Sequence, residues 1–361
     1  MAAPADTERR DALVERLFEA VLGFNDLFAV YIGDRLGFYT ALAEGAATPG
    51  EVASAAGCDE RYVREWLEHQ AVGGILEVED PAAEPAERRY RIPPGHDEVL
   101  LDRDSVNYMA AFARMMVGMV HPLPQVLAAF RSGRGVPYAD YPDDFLEGQG
   151  DMNRTQYVNL LASEWLPALP DVEERLRAGS VRVADVACGT GWSSIAIAKA
   201  YPDVHVDGFD LDPQSIMLAR SAAAAESVGE RVDFQVRDAA DPALAHRYDL
   251  VTVFEAIHDL AKPVEALAAI RDLLADGGVA LVADEKVADE FTAPGDDVER
   301  VMYGWSILHC LPVGRVEQPS AETGTAMRQS TFRRYAEEAG FSSVQVVPIE
   351  HDFWRFYRLT P

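Results

Sequence analysis

From residue 181 onward, short apolar runs rich in β-branched residues alternate with segments of helical periodicity. Parallel strands need a crossover between them, usually a helix, so this alternation predicts a doubly wound, mostly parallel α/β sheet. Two further runs, 342–350 and 353–359, are expected to add an antiparallel edge. The five runs predicted to form the parallel strands are 181–187, 204–210, 231–237, 248–257 and 277–285.

The turn after the first of these runs has the composition of a ligand-binding loop. The run ends in the sequence DVACGTG at 185–191, and a helical segment begins at Trp192. Gly189 and Gly191 let the backbone turn sharply and approach a ligand closely, because no Cβ is in the way. The strand before this turn and the helix after it make it a candidate site.

Acidic residues accompany the first three predicted strands. Asp185 and Asp210 stand at the ends of the first and second, and Asp238 follows the third. Asp210 lies about 20 residues after the glycines, the spacing at which an acid accepts hydrogen bonds from both hydroxyls of a nucleotide ribose. The three acids are predicted to converge at the carboxyl edge of the sheet, where open α/β sheets bind ligands.

The N-terminal region is predicted to be helical, as a pair of helices. Between residues 8 and 43, apolar residues recur at spacings of three to four and form one stripe. This stripe must be buried, either against the rest of the chain or against a second subunit, and the sequence leaves both possibilities open. The stripe begins with Leu13, Leu17, Val21, Phe24 and Phe28.

Residues 48–92 have the pattern of a winged helix. Thr48 is a typical helix cap, and a second helix is expected over about 59–72. Two strand-like runs, 75–80 and 89–92, are expected to form the wing. The side chains of the second helix that are predicted to face the core are Tyr62, Val63, Trp66 and Leu67.

Charge argues against a nucleic-acid partner. The chain of 361 residues has a formal net charge of −28, which repels phosphate backbones at long range. Groove-reading helices need Lys, Arg, Asn or Gln, but the helix in that position has two basic and four acidic residues between Asp59 and Glu68. The sequence also contains no run of about 20 apolar residues. We therefore expect neither nucleic acid nor a membrane as a partner.

The cysteines indicate a reducing compartment. Cys58, Cys188 and Cys310 are far apart, odd in number and form no CxxC pair. They predict neither a disulfide framework nor a zinc site, and a cytoplasmic location fits them best. No bound metal is expected.

Together, these motifs resemble those of the class I methyltransferases, which use S-adenosylmethionine (SAM) and release S-adenosylhomocysteine (SAH). Residues 181–285 resemble the Rossmann-like SAM-binding domain. The whole chain is similar to small-molecule O-methyltransferases that carry a winged-helix-like dimerisation domain in front. The resemblance implies that the protein is a homodimer. It also implies that Asp185, Gly189 and Gly191 frame the methionine part of SAM.

The resemblance also implies contacts for the rest of the cofactor. Asp210 would bind the ribose, and Asp238 with Ala239 would bind the adenine. The family often has glycine where Ala187 stands, and this departure puts the geometry of the loop in question. Further cofactor contacts are expected from Ala187 itself, Leu211 and Glu255.

A candidate general base follows the fourth strand. His258–Asp259 resemble the His-Asp pair that supplies the base in plant-type O-methyltransferases. An acceptor that attacks a sulfonium methyl group benefits from losing its proton, and imidazole has a suitable pKa for taking it. Alternatively, His258 shapes the SAM pocket. Tyr303 or His309 would then be the base, and both lie in the stretch 289–325, where related enzymes place a substrate lid.

The predicted chain has three parts: N-terminal helices with the winged helix at 1–104, a helical region at 105–178, and the SAM-binding domain at 179–361. The second part is rich in Met and aromatic residues, which form either core or an apolar substrate chamber. We expect methyl transfer to a small, aromatic metabolite, on oxygen, nitrogen or carbon. The alternatives are a SAM-binding transcriptional regulator and a SAM-binding enzyme that catalyses a rearrangement.

Overall fold

The computed structural model describes residues 4–179 and 181–361, and the side chains of all of these except residues 4 and 5. The chain forms two compact units, which divide between Val117 and Gly118. The domain boundaries predicted after residues 104 and 178 remain predictions.

The first unit contains the predicted winged helix. Thr48 caps its first helix reciprocally: the Thr48 hydroxyl accepts from the N–H of Glu51 at 3.3 Å, and the Glu51 carboxylate accepts from the N–H of Thr48 at 2.8 Å. The two strands of the wing are antiparallel. The elements are α1 (Pro4–Arg35), α2 (Phe38–Ala41), α3 (Pro49–Ala56), α4 (Glu60–Val72), β1 (Glu77–Val78), β2 (Tyr90–Arg91) and α5 (His96–Leu100).

The inward face of α4 differs from the prediction at one residue. Val63, Trp66 and Leu67 are buried as expected, but Tyr62 is 81% exposed. With 3.6 residues per turn, Tyr62 lies about 100° around the helix axis from Val63, outside the stripe that faces the core. The prediction for Tyr62 was therefore wrong.

The apolar stripe of α1 is exposed along most of its length. α1 is one helix of 32 residues, and Leu13, Leu17 and Val21 are each more than half exposed. Nearer its C-terminal end α1 packs onto its unit, where the indole N–H of Trp66 donates to the carbonyl of Ala29 at 2.7 Å. The rest of the described chain therefore does not bury the stripe. No helix in the described part of the chain is both long and apolar enough to cross a membrane.

The second unit is built on the predicted doubly wound sheet. Its seven strands have the order β5-β4-β3-β6-β7-β9-β8, and all pairings from β5 to β7 are parallel. β9 pairs antiparallel with both β7 and β8, which confirms the antiparallel edge. The strands are β3 (Arg182–Val186), β4 (His205–Asp210), β5 (Val232–Val236), β6 (Tyr248–Phe254), β7 (Leu274–Glu285), β8 (Ser343–Val346) and β9 (Trp354–Thr360).

Apolar side chains cover both faces of this sheet. Val183 of β3 belongs to one buried cluster and its neighbour Ala184 to the other, as expected of a strand buried on both sides. The helices are α6 (Ala110–Val120, which crosses the division between the units), α7 (Leu123–Ser132), α8 (Asp143–Gln156), α9 (Pro170–Ala178), α10 (Trp192–Ala200), α11 (Pro213–Ala225), α12 (Pro263–Leu273), α13 (Asp297–Trp305), α14 (Leu311–Gly314) and α15 (Gln329–Glu338).

Two π-helical segments extend regular helices of this unit. Tyr157–Trp165 continues α8, and Ser306–Cys310 joins α13 to α14. The chain is therefore helical throughout 297–314. This helix lies within the predicted lid stretch.

The strand order fixes where a ligand can bind. The chain runs from β3 outward through β4 to β5 and then returns to place β6 on the other side of β3. The crevice outside the carboxyl ends of β3 and β6 is therefore the switch point of the sheet. The candidate residues that follow β3, β4 and β6 all belong to this edge.

Candidate active site

The glycine turn after β3 has left-handed backbone at three residues: Ala187 (φ 55°), Gly189 (φ 51°) and Gly191 (φ 81°). At Gly191, a Cβ would lie only 2.4 Å from Cζ of Phe234, so both the conformation and the close packing require glycine. Ala187 adopts a conformation that glycine reaches more easily, which gives a physical reason for the family's frequent glycine there.

Asp210 supports this turn. Its Oδ2 accepts from the N–H of Gly189 at 2.9 Å, and its Oδ1 accepts from the N–H of Asp212 at 2.9 Å. Burial raises the pKa of Asp210, while these backbone hydrogen bonds act in the opposite direction. The carboxylate predicted to bind ribose thus also connects the ends of β3 and β4.

Asp185 is directed into the protein. Its Oδ2 accepts from the hydroxyls of Ser193 (2.5 Å) and Ser194 (2.6 Å), and its Oδ1 accepts from Thr252 (2.8 Å). The side chain is 1% exposed, and burial raises its pKa. In this position Asp185 holds the start of α10 and the neighbouring strand β6 around the turn.

The residues predicted near the adenine lie at the surface. Asp238 is exposed, and its Oδ1 accepts from the N–H of Ala240 at 2.9 Å. Leu211 is 70% exposed, and Ala239 is half-buried. These three residues follow β4 and β5, on the same side of β3 as Asp210.

Glu255 directly follows β6 and has a left-handed backbone, with φ 52°. Its carboxylate accepts from the indole N–H of Trp354 at 2.9 Å and from the amide of Asn153. Burial raises the pKa of Glu255 to about 7, although these hydrogen bonds and His258 oppose the rise.

His258 is held between two acids. Its Nδ1 lies 2.8 Å from Oδ1 of Asp284 and 3.0 Å from Oε2 of Glu285, and all three residues are at most 4% exposed. Burial alone would lower the pKa of His258, but Glu285 and Asp284 outweigh it and raise that pKa well above its ordinary value. The neighbouring Asp259 is also affected, since burial raises its pKa to about 6.

The two acids hold their protons differently. Burial would raise the pKa of Asp284, but the charge and hydrogen bond of His258 keep it below its ordinary value. At Glu285 burial prevails, and the pKa is raised well above its ordinary value. His258 thus favours the charged form of Asp284, while burial favours the neutral form of Glu285. The donor atoms of the three residues lie within 4.8 Å of one another, a spacing that a metal ion could also bridge.

His309 is surrounded by aromatic rings. Its imidazole lies 4.3 Å from the ring of Phe145, 4.5 Å from that of Tyr141 and 5.7 Å from that of Tyr138, between centroids. Its Nδ1 lies 3.6 Å from Sγ of Cys310, and its buried Nε2 has no hydrogen-bond partner in the described part of the chain. Burial lowers the pKa of His309 to about 3, so the ring is neutral near pH 7.

Tyr303 lies on the outer side of the same helix. It is 39% exposed, and its hydroxyl accepts from Arg328 at 3.3 Å. Arg328 also forms an ion pair with Glu299 at 2.9 Å and donates to the carbonyls of Ala288 and Glu290. Arg328 therefore anchors the predicted lid, and Tyr303 belongs to this anchor.

Sequence reasoning did not find the contribution of α8. A Cβ on Gly150 would lie 2.3 Å from Oγ1 of Thr190, so this helix lies directly against the glycine turn. One turn later, Asn153 donates to Glu255, and the Arg154 guanidinium stacks 4.1 Å from the ring centroid of Trp192. No local sequence signal identifies these contacts, because they join segments that are far apart in the chain.

Comparison with known proteins agrees with this architecture. Residues 184–280 match the family model described as a methyltransferase domain, and residues 27–103 match the model of the Rv2258c-like winged HTH domain. The doubly wound sheet with its antiparallel edge and the glycine turn after β3 agree with the methyltransferase match. The chain combines a class I methyltransferase domain with an N-terminal winged-helix domain, as its motifs predict.

The curated relatives match over part of their length. The chain is 29% identical over 137 residues to a trans-aconitate 2-methyltransferase of Streptomyces avermitilis, which is 38% of this chain and 47% of that protein. It is 34% identical over 110 residues to a ubiquinone biosynthesis O-methyltransferase of Cereibacter sphaeroides, which is 30% of this chain and 43% of that protein. The chain therefore spans about half the length of these relatives.

Solved structures share the fold over the whole chain. The mitomycin 7-O-methyltransferase MmcR has a TM-score of 0.71 at 17% identity, covering 98% of this chain and 99% of that one. An O-methyltransferase family protein from Burkholderia thailandensis has a TM-score of 0.65 at 16% identity, covering 100% and 98%. Human N-acetylserotonin methyltransferase, solved with SAM, has a TM-score of 0.64 at 19% identity, covering 100% and 99%.

Proposed function

We propose that the protein is a SAM-dependent methyltransferase that acts on a small, aromatic molecule and releases SAH. One observation carries this proposal: the glycine turn supported by Asp210 and the buried cluster around His258 belong to the same edge of the sheet. The first fits a nucleoside cofactor, and the second fits proton removal from an acceptor. The match of residues 184–280 to a methyltransferase domain supports the assignment.

The residues at the turn fit SAM. Gly189 and Gly191 let the backbone approach the ligand, the half-buried carboxylate of Asp210 is proposed to accept from the ribose hydroxyls, and Asp238 with Ala239 is proposed to contact the adenine. When bound, SAM supplies a methyl group activated by a sulfonium. The protein then has to orient the acceptor, exclude water and take up one proton, and orientation alone is worth roughly 7–11 kcal/mol.

His258 is the proposed base. Asp284 accepts from Nδ1 and fixes the orientation of the ring, which leaves Nε2 as the nitrogen that takes the proton. The acids that raise its pKa also stabilise the imidazolium formed when the acceptor loses its proton. His309, with its pKa lowered to about 3, and Tyr303, tied to Arg328, are less suited to this role.

The acceptor is proposed to be aromatic. Tyr138, Tyr141 and Phe145 surround the neutral imidazole of His309, and such rings favour stacking with a planar apolar molecule. Whether the methyl group goes to oxygen, nitrogen or carbon is left open.

The protein is also proposed to be a cytoplasmic homodimer. The apolar residues of α1 that the chain leaves exposed, including Leu13, Leu17 and Val21, form a surface that a second copy can cover. The cytoplasmic location follows from the cysteine pattern.

The experiment that tests the proposed activity is product mass. The purified protein is incubated with SAM and a panel of phenols, indoles and hydroxylated polyketide-like compounds. A product heavier by one methylene, formed together with SAH, is the expected result. An isomer of the substrate would indicate a rearrangement, and only methylated aliphatic acids or peptides would contradict an aromatic acceptor.

A further inference from the structure

Glu255 has a backbone conformation that its side chain does not favour. It is not glycine, yet its φ is 52°, and its N–H still donates to the carbonyl of Ala283 at 2.9 Å. The surrounding structure thus holds the residue in a left-handed conformation directly after β6. Such strain concentrates at functional sites and is a reason to look for a ligand.

The sheet register places Glu255 beside the glycine turn. Asp185 of β3 pairs with Thr252 of β6, and both strands run in the same direction. β3 ends at Val186, just before the turn, and β6 ends at Phe254, just before Glu255, so Glu255 follows β6 at the same end of the sheet as the turn. The carboxylate of Glu255 therefore lies at the switch point and not on the outer surface of the sheet.

Helix α8 brings an amide to the same place. Gly150 packs against Thr190 of the turn, and Asn153, one helical turn later, donates its Nδ2 to Oε2 of Glu255. The other amide atom, Oδ1 of Asn153, is buried and has no hydrogen-bond partner in the part of the chain that the structure describes. A buried acceptor that no protein donor reaches is available to a donor of a ligand.

The charge of Glu255 also lacks a direct counterion. Its hydrogen-bond donors, Trp354 and Asn153, are neutral, and it forms no ion pair with a Lys or Arg of the described residues. The charge of a protonated His258 also acts on Glu255, but that imidazole already lies 2.8 Å from Asp284. A half-buried carboxylate without a Lys or Arg partner is suited to a cationic ligand group.

We propose that Glu255 and Asn153 bind the α-ammonium group of the methionine end of SAM and of the homocysteine end of SAH. An ammonium has three donors and no acceptor, and Oδ1 of Asn153 with the carboxylate of Glu255 offers it matching acceptors. This inference rests on the proposed function, because it assumes that the nucleoside occupies the turn supported by Asp210.

Ligand binding should release a proton from Glu255. Burial raises the pKa of this carboxyl to about 7, so its protonated form is present near pH 7. A bound ammonium favours the carboxylate and lowers this pKa, so the proton leaves. Four other titratable groups interact electrostatically with Glu255. The charges of His258 and Asp284 shift its pKa, and the charge of Glu255 in turn raises the pKa of Glu285 and Tyr157.

The test compares two nucleosides by isothermal titration calorimetry. SAH has the α-ammonium, and 5′-deoxy-5′-methylthioadenosine keeps the adenosine and the thioether but lacks the amino-acid end. Glu255→Gln and Asn153→Ala are expected to raise the Kd of SAH at least about tenfold. Both variants should change the Kd of methylthioadenosine by less than about twofold. The matched control is Glu174→Gln, an exposed residue of α9 that should change neither Kd.

Proton release gives a second readout. SAH is titrated at pH 7 in phosphate and in Tris, whose different ionisation heats report the protons exchanged. SAH binding to wild-type protein should release protons, and binding to Glu255→Gln should release clearly fewer. Unchanged SAH affinity, or equal weakening of both nucleosides, would overturn the inference and leave the proposed function intact. Failure of wild-type protein to bind either nucleoside would contradict both this inference and the proposed function.

Discussion

Nδ1 of His258 lies 2.8 Å from Oδ1 of Asp284, and both side chains are almost completely buried. The distance is that of a charge-assisted hydrogen bond. Asp284 stands at the end of β7, and His258 follows β6, so two adjacent parallel strands fix the pair. The orientation of the imidazole is thus set by the sheet itself, before any acceptor binds.

Loss of His258 should remove the chemical step and leave the cofactor site unchanged. For His258→Gln we expect kcat to fall about 10²–10⁴-fold, because general-base catalysis is worth about that much. SAH affinity should stay within about twofold of wild type. His205→Gln, at an exposed position of β4, is the matched control. An unchanged kcat in His258→Gln would show that another group, or none, takes the proton.

The pH dependence should follow the charge of the cluster. The base must be neutral, and the two acids raise the pKa of His258, so activity should increase with pH through a midpoint above about 6.5. Asp284→Asn removes one negative charge and favours the neutral imidazole, so the midpoint should move to lower pH. The measurement is kcat/KM against pH for both proteins. A midpoint that stays in place or moves upward would contradict the positioning role of Asp284.

His309 should affect acceptor binding and not the pH profile. Its pKa is lowered to about 3, so it stays neutral throughout the working range. His309→Phe keeps an aromatic ring in the space between Tyr141 and Phe145 and should raise the acceptor KM with little change in the pH midpoint. Tyr303→Phe serves as the comparison and should leave the acceptor KM and the pH midpoint nearly unchanged. Loss of the pH midpoint in His309→Phe would instead indicate that His309 is the base.

The exposed stripe of α1 should hold two subunits together. Leu17→Asp combined with Val21→Asp places charge in the apolar surface and should shift the protein to monomer in light scattering after size exclusion. Arg16→Asp changes charge at a neighbouring exposed position and should leave the dimer intact. A wild-type protein that is already monomeric at high concentration would contradict the proposed role of α1.

The sequence predicts the elements of the site well, because their signals are local. The apolar runs and the glycines of 185–191 are sufficient to predict the parallel strands, the turn after β3 and the acid at the end of β4. The antiparallel edge follows from the two final runs. The strand order places these features at one edge of the sheet, as doubly wound sheets require.

The features of the site that the sequence does not predict depend on contacts between distant segments, which no local pattern encodes. Asn153 and Trp354 both donate to Glu255, although 102 and 99 residues of sequence separate them from it. The low pKa of His309 results from burial among aromatic rings of a distant segment, which no pattern around residue 309 encodes. The exposure of Tyr62, which was predicted to face the core, has a simpler reason. Tyr62 lies just beyond the inward stripe of its helix.

The most direct test of the account is a calorimetric titration of the purified protein with SAH, comparing wild type with Asp210→Ala and with Asp233→Ala. Asp233 is an exposed acid of the neighbouring strand β5 and serves as the control. We expect a Kd of about micromolar for wild type and Asp233→Ala, and SAH binding at least about tenfold weaker, about 1.4 kcal/mol, for Asp210→Ala. No detectable binding of SAH by wild-type protein, or equal binding by all three, would contradict the cofactor site at the turn after β3.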